Sequence, residues 1–250
     1  MADTLAGTST GRIRMHDLDN LLDGTMRLMP LPQAYFRIRD LVNDPASRAH
    51  DIAAVIANEP VLTARLLRVA NSPWFGRRAQ IDTVDKAVRV LGMDEIGNLA
   101  LAVAAVAALG NLHTALVARE TFWRDSVHCA VLASRLGRRL GEQRGEQLFV
   151  AGLLHSVGHL ILCARRPEQM QMLMARSTAE GQPLHVAELV AFGYDYAEVG
   201  AELMRRWDLP DALCSAVHWH TRPGDALEHV IECSILHIAA VLGAGARWSD

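Results

Sequence analysis

Residues 93–109 read MDEIGNLALAVAAVAAL, and after Asn98 no charged side chain interrupts them. Their apolar residues fall on every side of a helix instead of along one stripe, so the segment is expected to be a central, buried helix. Gly92 and Gly110 bracket it, as glycine does where a helix must stop. On its N-terminal side, Pro30, Leu31 and Pro32 open a helix in which Tyr35, Ile38, Leu41 and Val42 share a face. Ser47 is placed to cap a second helix carrying Ile52, Val55 and Ile56, and Glu59-Pro60 starts a third with Leu62, Leu66, Leu67 and Ala70. The run Asn71-Ser-Pro-Trp-Phe-Gly76 is a turn-rich break, after which Asp82 or Thr83 caps a short helix ending at Leu91.

Beyond Gly110–His113 the pattern predicts helices at about 119–141, 146–164, 167–180, 183–191, 195–207, 210–220 and 225–243, punctuated by glycine and proline. No stretch alternates with period two in β-branched and aromatic residues, and no fixed-period repeat appears. The expected fold is all-α, in two helical lobes: a loose leader over 1–20, an N-terminal lobe over 21–110 and a second lobe over 111–250.

Composition excludes several classes. Of 250 residues half are hydrophobic and 21% charged, too apolar for a disordered chain. A net charge of −3 supplies no global attraction for nucleic acid, so nucleic acid is not an expected partner. Cys129, Cys163, Cys214 and Cys233 form no CxxC pair and read as free thiols in helical cores. The N-terminal twenty residues lack a signal-peptide core, and the longest apolar run, Leu99–Leu109, is short of the roughly 20 residues a bilayer span needs. The expected location is the cytoplasm, with no membrane contact.

Phosphate-binding loops, nucleophile elbows and HExxH are absent. The informative tracts are Phe122-Trp-Arg-Asp125-Ser, Ala151-Gly-Leu-Leu-His155-Ser156-Val-Gly-His159, Gly193-Tyr-Asp-Tyr196-Ala-Glu, Trp207-Asp-Leu-Pro210 and Val217-His218-Trp-His220. Arg135, Arg138, Arg139 and Arg144 cluster on and just past one helix; they read as a solvated face near a helix C-terminus or as a docking surface for an acidic partner or a phosphate. Lys86 is the only lysine.

In these tracts the chain resembles the HDOD family, a bacterial signalling module related to HD-domain metal-dependent phosphohydrolases. MPLPQAYFRIRDLVNDP, IANEPVLTARLLRVANSPWFG and VDKAVRVLGMDEIGNLAL carry the likeness through the first half and the tracts above carry it through the second, together over about residues 24–242. The resemblance implies an entirely helical, two-lobed fold whose second lobe is a modified HD domain. It also implies where catalysis would lie, and there this sequence departs from the catalytic pattern. Asp125 stands at the first histidine, His155 keeps the histidine of the His-Asp pair but Ser156 replaces its aspartate, and Tyr196 stands at a later histidine. His220 is followed by Thr221 where a second histidine is expected, and Ala240 falls at the late aspartate.

Hydrolysis at such a site needs divalent ions that acidify water and hold phosphate oxygens, and carboxylates hold those ions. With the two anionic anchors gone, the expectation is a non-catalytic signalling module with no cofactor, meeting signalling proteins in trans. A groove between the lobes near 71–76 and 110–125 is the expected place. Two alternatives remain: a phosphohydrolase with a single metal on Asp125, His155 and His220, and a domain that senses a nucleotide in the relic pocket, lined by Phe122-Trp123 and Trp207. His155 and His159, four apart, would share a helix face, whereas His218 and His220 diverge. The plainer expectation for these histidines is a hydrogen bond to backbone or to each other.

Overall fold

The computed structural model describes residues 16–26, 29–72, 80–110, 112–140 and 145–245. Among them every regular element is helical: α1 (16–26), α2 (Gln33–Asn43), α3 (Ala49–Ala57), α4 (Pro60–Ala70), α5 (Val84–Leu91), α6 (Met93–Leu109), α7 (Arg119–Arg139), α8 (Gly145–Leu154), α9 (Val157–Arg165), α10 (Pro167–Glu180), α11 (Leu184–Phe192), α12 (Tyr196–Arg206), α13 (Asp211–Trp219), a 3-10 turn (Pro223–Asp225) and α14 (Val230–Gly245). The chain divides into two compact units, Pro30–Asn111 and the remainder.

The Pro30–Asn111 unit packs α2 to α6 around Ile38, Ile52, Ile56, Leu66, Val88, Ile96 and Leu99. Helix α6 is buried along nearly its whole length, as its sequence demands. Its starts and stops follow local chemistry. Pro60 opens α4, and the Thr83 hydroxyl accepts from Lys86 N at 3.2 Å to cap α5. Ser47 does not cap α3: its hydroxyl turns back to Asp44, and Arg48 occupies the cap position, its N–H donating to the Asp51 carboxylate at 2.8 Å. Asn71 fastens the far end of the turn-rich break, donating to Ile81 O at 2.6 Å and accepting from Ile81 N at 2.7 Å. Residues 73–79, the rest of that break, lie outside the described residues.

The second unit differs from expectation at its start. Residues 16–26, placed partly in a leader and partly in the N-terminal lobe, form a helix that belongs with residues 112–250. Leu18, Leu21, Leu22 and Thr25 recur at i, i+3, i+4 and i+7, and the last three are buried. Asp17 takes a bidentate contact from Arg166 at 2.7 Å and a hydrogen bond from the Tyr194 hydroxyl. Arg206, at the end of α12, grips Asp19 and Asp23. Trp207 donates its indole N–H to Met29 O at 3.2 Å. Asp17, Asp19 and Asp23 are thus the residues that tie this stretch down.

A second difference bears on function. The helix expected over 146–164 is two helices, broken at His155 and Ser156. Residues Gly145–Arg165 are long and apolar enough for a membrane span by length and composition, but 67% of that window is buried within the protein, where it packs against α7. Two glycines let the neighbouring backbones meet. A Cβ on Gly152 would strike the Ala130 backbone N at 2.7 Å, across the α7–α8 contact. A Cβ on Gly158 would collide with Tyr196 O and sit 2.6 Å from Gly200 N, across the α9–α12 contact.

Backbone atoms cannot move aside as a side-chain tip can. Gly158→Ala is therefore expected to cost at least the upper end of the about 1–3 kcal/mol typical of overpacking. Gly181→Ala, at a φ of 64° with open space around it, is expected to cost only about 1–2 kcal/mol of backbone strain. Urea unfolding of both variants measures the difference.

A cavity of histidines behind a broken helix

Breaking the helix at His155 turns the ring back on its own chain: Nδ1 lies 2.7 Å from Gly152 O. His159 follows in the first turn of α9. From the facing side, Asp195 caps α12 by accepting from Glu198 N at 2.9 Å, which sets Tyr196 at the first helical position. The Tyr196 hydroxyl lies 3.2 Å from His220 Nε2, and His220 Nδ1 meets Val217 O at 2.6 Å where α13 ends. His237 on α14 closes the ring of contacts, its Nδ1 2.7 Å from His220 O. The His220 ring meets those of His155 and Tyr196 edge to face, with centroids 5.5 Å apart in both contacts.

These residues surround a cavity of about 560 Å³, within the range of small-molecule sites. All six residues expected at the relic pocket line it: Asp125, His155, Ser156, His159, Tyr196 and His220. So do Thr221, Ala240 and Phe122, whereas Trp123 and Trp207 do not. Trp207 is instead a buried anchor for Met29. His155 and His159 reach the cavity from two sides of a helix break, not from one helix face, and His218 turns away toward Arg205. Arg135, Arg138 and Arg139 are exposed on α7 and do not line it; Arg138 pairs with Glu146 at 2.9 Å. Arg144 lies outside the described residues.

His185, His237 and Glu188 escaped the sequence reading. Glu188 carried a usable signal, a lone carboxylate in the apolar run of α11, LHVAELVAF. It is fully buried, accepts from Tyr196 N at 2.8 Å and stands 3.9 Å from His159 Nδ1.

Burial acts on these groups in opposite senses. It pushes His220 down to about 3, helped by the neighbouring His155, and it lowers His155 despite Gly152 and Asp125. Both rings are therefore neutral near pH 7, and stability falls on acidification below about 6.5, where the unfolded histidines take up protons. For His159 burial also opposes the charge, but Cys163 and Glu188 override it and bring the ring up to about 9. Burial raises the Glu188 carboxyl, while the nearby His159 ring and the hydrogen bond from Tyr196 N draw it down.

A metal is the group an HD-type cavity would hold, and its fit depends on where donor atoms stand. Among the described residues, the trio whose ligand atoms come within 4.8 Å of one another is Asp211, Glu228 and His229, two of them exposed and none in this cavity. Asp125, His155 and His220 do not converge in this way, and the Tyr196 hydroxyl already engages His220 Nε2. A first-row ion binds at about 2.0–2.3 Å, so its ligands must crowd together; these residues do not fit one.

The fold and cavity are those of a helical HD-type domain. The model of the HDOD domain matches residues 28–223, and the chain belongs to the HDOD family. It is similar to an HDOD domain protein of unknown function from Geobacter sulfurreducens, 25% identical with a TM-score of 0.80, covering 94% of this chain and 79% of that one. A protein from Shewanella amazonensis SB2B named "Putative phosphohydrolase" is 30% identical with a TM-score of 0.77, covering 92% and 82%. One from Marinobacter aquaeolei VT8 named "Putative signal transduction protein" is 25% identical at 0.72, covering 92% and 54%. An uncharacterized protein of Treponema pallidum is 26% identical over 191 residues, which are 76% of this chain and 37% of that protein. The chain thus spans little more than a third of that relative.

The His159–Glu188 pair gives the cavity a pH signature. A ring held at about 9 contributes stability that is fully present below the unfolded value near 6.5 and is lost as pH rises through 9. Glu188→Gln removes the anion, so only Cys163 is left to oppose the lowering of His159 by burial. At pH 6 this variant is expected to be less stable than wild type by on the order of 2–3 kcal/mol, with the gap closing toward pH 9. Urea midpoints at several pH values, with imidazole NMR of His159, measure both.

Proposed function

We propose that the chain is a non-catalytic signal-transduction module that acts in the cytoplasm by binding signalling proteins in trans. The observation that carries this reading is the donor geometry of the cavity. Ser156 and Ala240 stand where the resemblance places carboxylates, and no three ligand atoms of its lining converge among the described residues. Metal-assisted hydrolysis needs an ion to acidify water and hold phosphate oxygens. Tyr196 supplies its hydroxyl to the imidazole nitrogen that an ion would use.

A protein-binding role draws support from α14. Ile231, Ile238, Val241 and Leu242 are exposed along one face of that helix, and Leu227 just before it is 95% exposed. Contiguous apolar surface of this kind marks contact sites more often than solvent-facing structure. The rival reading as a nucleotide sensor has the cavity volume in its favour. Against it, the described residues lining the cavity include no arginine or lysine to pair with a phosphate.

Purified protein is expected to carry no stoichiometric divalent metal and to turn over neither nucleotides nor cyclic dinucleotides when Mn²⁺ is added. Elemental analysis and product chromatography check this. Stoichiometric metal and turnover, both lost in His155→Ala, would sink the proposal in favour of a single-metal phosphohydrolase.

A further inference from the structure

Hydrogen bonding decides what the cavity offers a visitor. A carbonyl oxygen only accepts, so the Nδ1 atoms of His155, His220 and His237 must carry the protons that reach Gly152, Val217 and His220 O. In the neutral ring the other nitrogen is then a lone pair. Three imidazoles thus present acceptor nitrogens, of which that of His220 is taken up by Tyr196. The Asp125 carboxylate, whose Oδ1 lies 3.7 Å from Arg124 Nε, adds an acceptor on the α7 side. The one cationic ring, His159, is matched by the buried Glu188 carboxylate behind it.

Such a lining repels anions and asks for donors. It also fails to close on a bare metal ion, for the reason of spacing given above. An ammonium nitrogen has looser needs. Its hydrogen bonds are about 2.8–3.0 Å long, so the acceptors around it stand up to about 5–6 Å apart, wider than a metal tolerates. The rest of the wall, with Leu116, Phe122, Met174 and Leu184, is apolar. Phe122 and Tyr196 also offer ring faces, which attract cations.

We propose that this cavity binds a small organic amine, its ammonium donors directed to Asp125 and to the acceptor nitrogens of His155 and His237, its carbon frame against the apolar wall. Occupancy would make the module a sensor for an amine rather than for a phosphorylated ligand. The proposal rests on the reading that metal-held hydrolysis is absent. Its test reads binding alone, so its failure is separable from a failure of the metal and turnover assays.

The probes are tyramine, hydrocinnamate as an acid of similar frame, and phenyl phosphate, each titrated calorimetrically into the full chain near pH 7.5. Tyramine is expected to bind saturably and at least about tenfold more tightly than either anion. Asp125→Asn, which keeps the side chain's shape, and His155→Gln are each expected to weaken tyramine about tenfold or more. Arg139→Ala, outside the cavity, is expected to leave it unchanged. Thermal unfolding of the unliganded variants establishes that they are folded. Three results would overturn the proposal: no tyramine binding, anions binding as tightly as tyramine, or tyramine affinity unchanged in both cavity variants.

Discussion

At Gly158 the α9 backbone runs against the carbonyl of Tyr196 and the amide of Gly200, with no room for even a methyl group. That approach holds the first turn of α9 to the first turn of α12. It brings His159 and Tyr196 to the same wall, their ring centroids 6.1 Å apart. The break just before α9 completes the arrangement, because a continuous helix through His155 and Ser156 would carry the His155 ring round with the helix instead of folding it back on Gly152. Gly152 plays the same part against Ala130 and seats α8 on α7, the helix that contributes Asp125 and Phe122. Close backbone contacts therefore come first, and the cavity follows from them.

Electrostatics divides the cavity into two layers. At its surface stand neutral imidazoles held in one tautomer by backbone carbonyls. The His159 ring stands among them, and behind it lie the buried Glu188 carboxylate, the Asp195–Thr221 contact at 3.0 Å and the Arg222–Glu198 pair at 3.0 Å. Buried carboxylates are costly without partners, and each of these has one. Glu188 links the layers directly: one oxygen accepts from the Tyr196 amide, and the other faces His159. Glu188, Asp195 and Glu198 thus serve the start of α12 and its buried pairs.

Most of the helical architecture was legible because it rests on periodicity and punctuation. Residues 93–109 could be nothing but an interior helix, and Pro60, Thr83, Gly92 and Gly110 mark ends where the physics of capping places them. The misreadings have physical causes. The Gly-, Ser- and Thr-rich residues before the 16–26 helix make its start read as a loose leader, while the partners that hold it, Arg166 and Arg206, lie far along the chain. The break at His155 has no proline and only a glycine three residues on; it is imposed by packing. Periodicity alone also cannot show that His237, deep in the apolar α14, reaches the same cavity as His155.

Imidazoles that line a cavity carry a hydrogen-bonding requirement of their own. A divalent ion satisfies the lone pairs of several imidazoles at once, and without it each ring must find a partner or remain an open acceptor. Here Tyr196 serves His220, standing where the HDOD resemblance places another histidine. A hydroxyl donates one proton and so satisfies one ring, which leaves His155 and His237 as acceptors toward the cavity. On the proposed reading, a tyrosine at this position occupies the nitrogen a metal ion would need and leaves a lining whose remaining polarity favours hydrogen-bond donors. Close helix packing at Gly152 and Gly158 sets the shape of the cavity, and the side chains that line it set its chemistry.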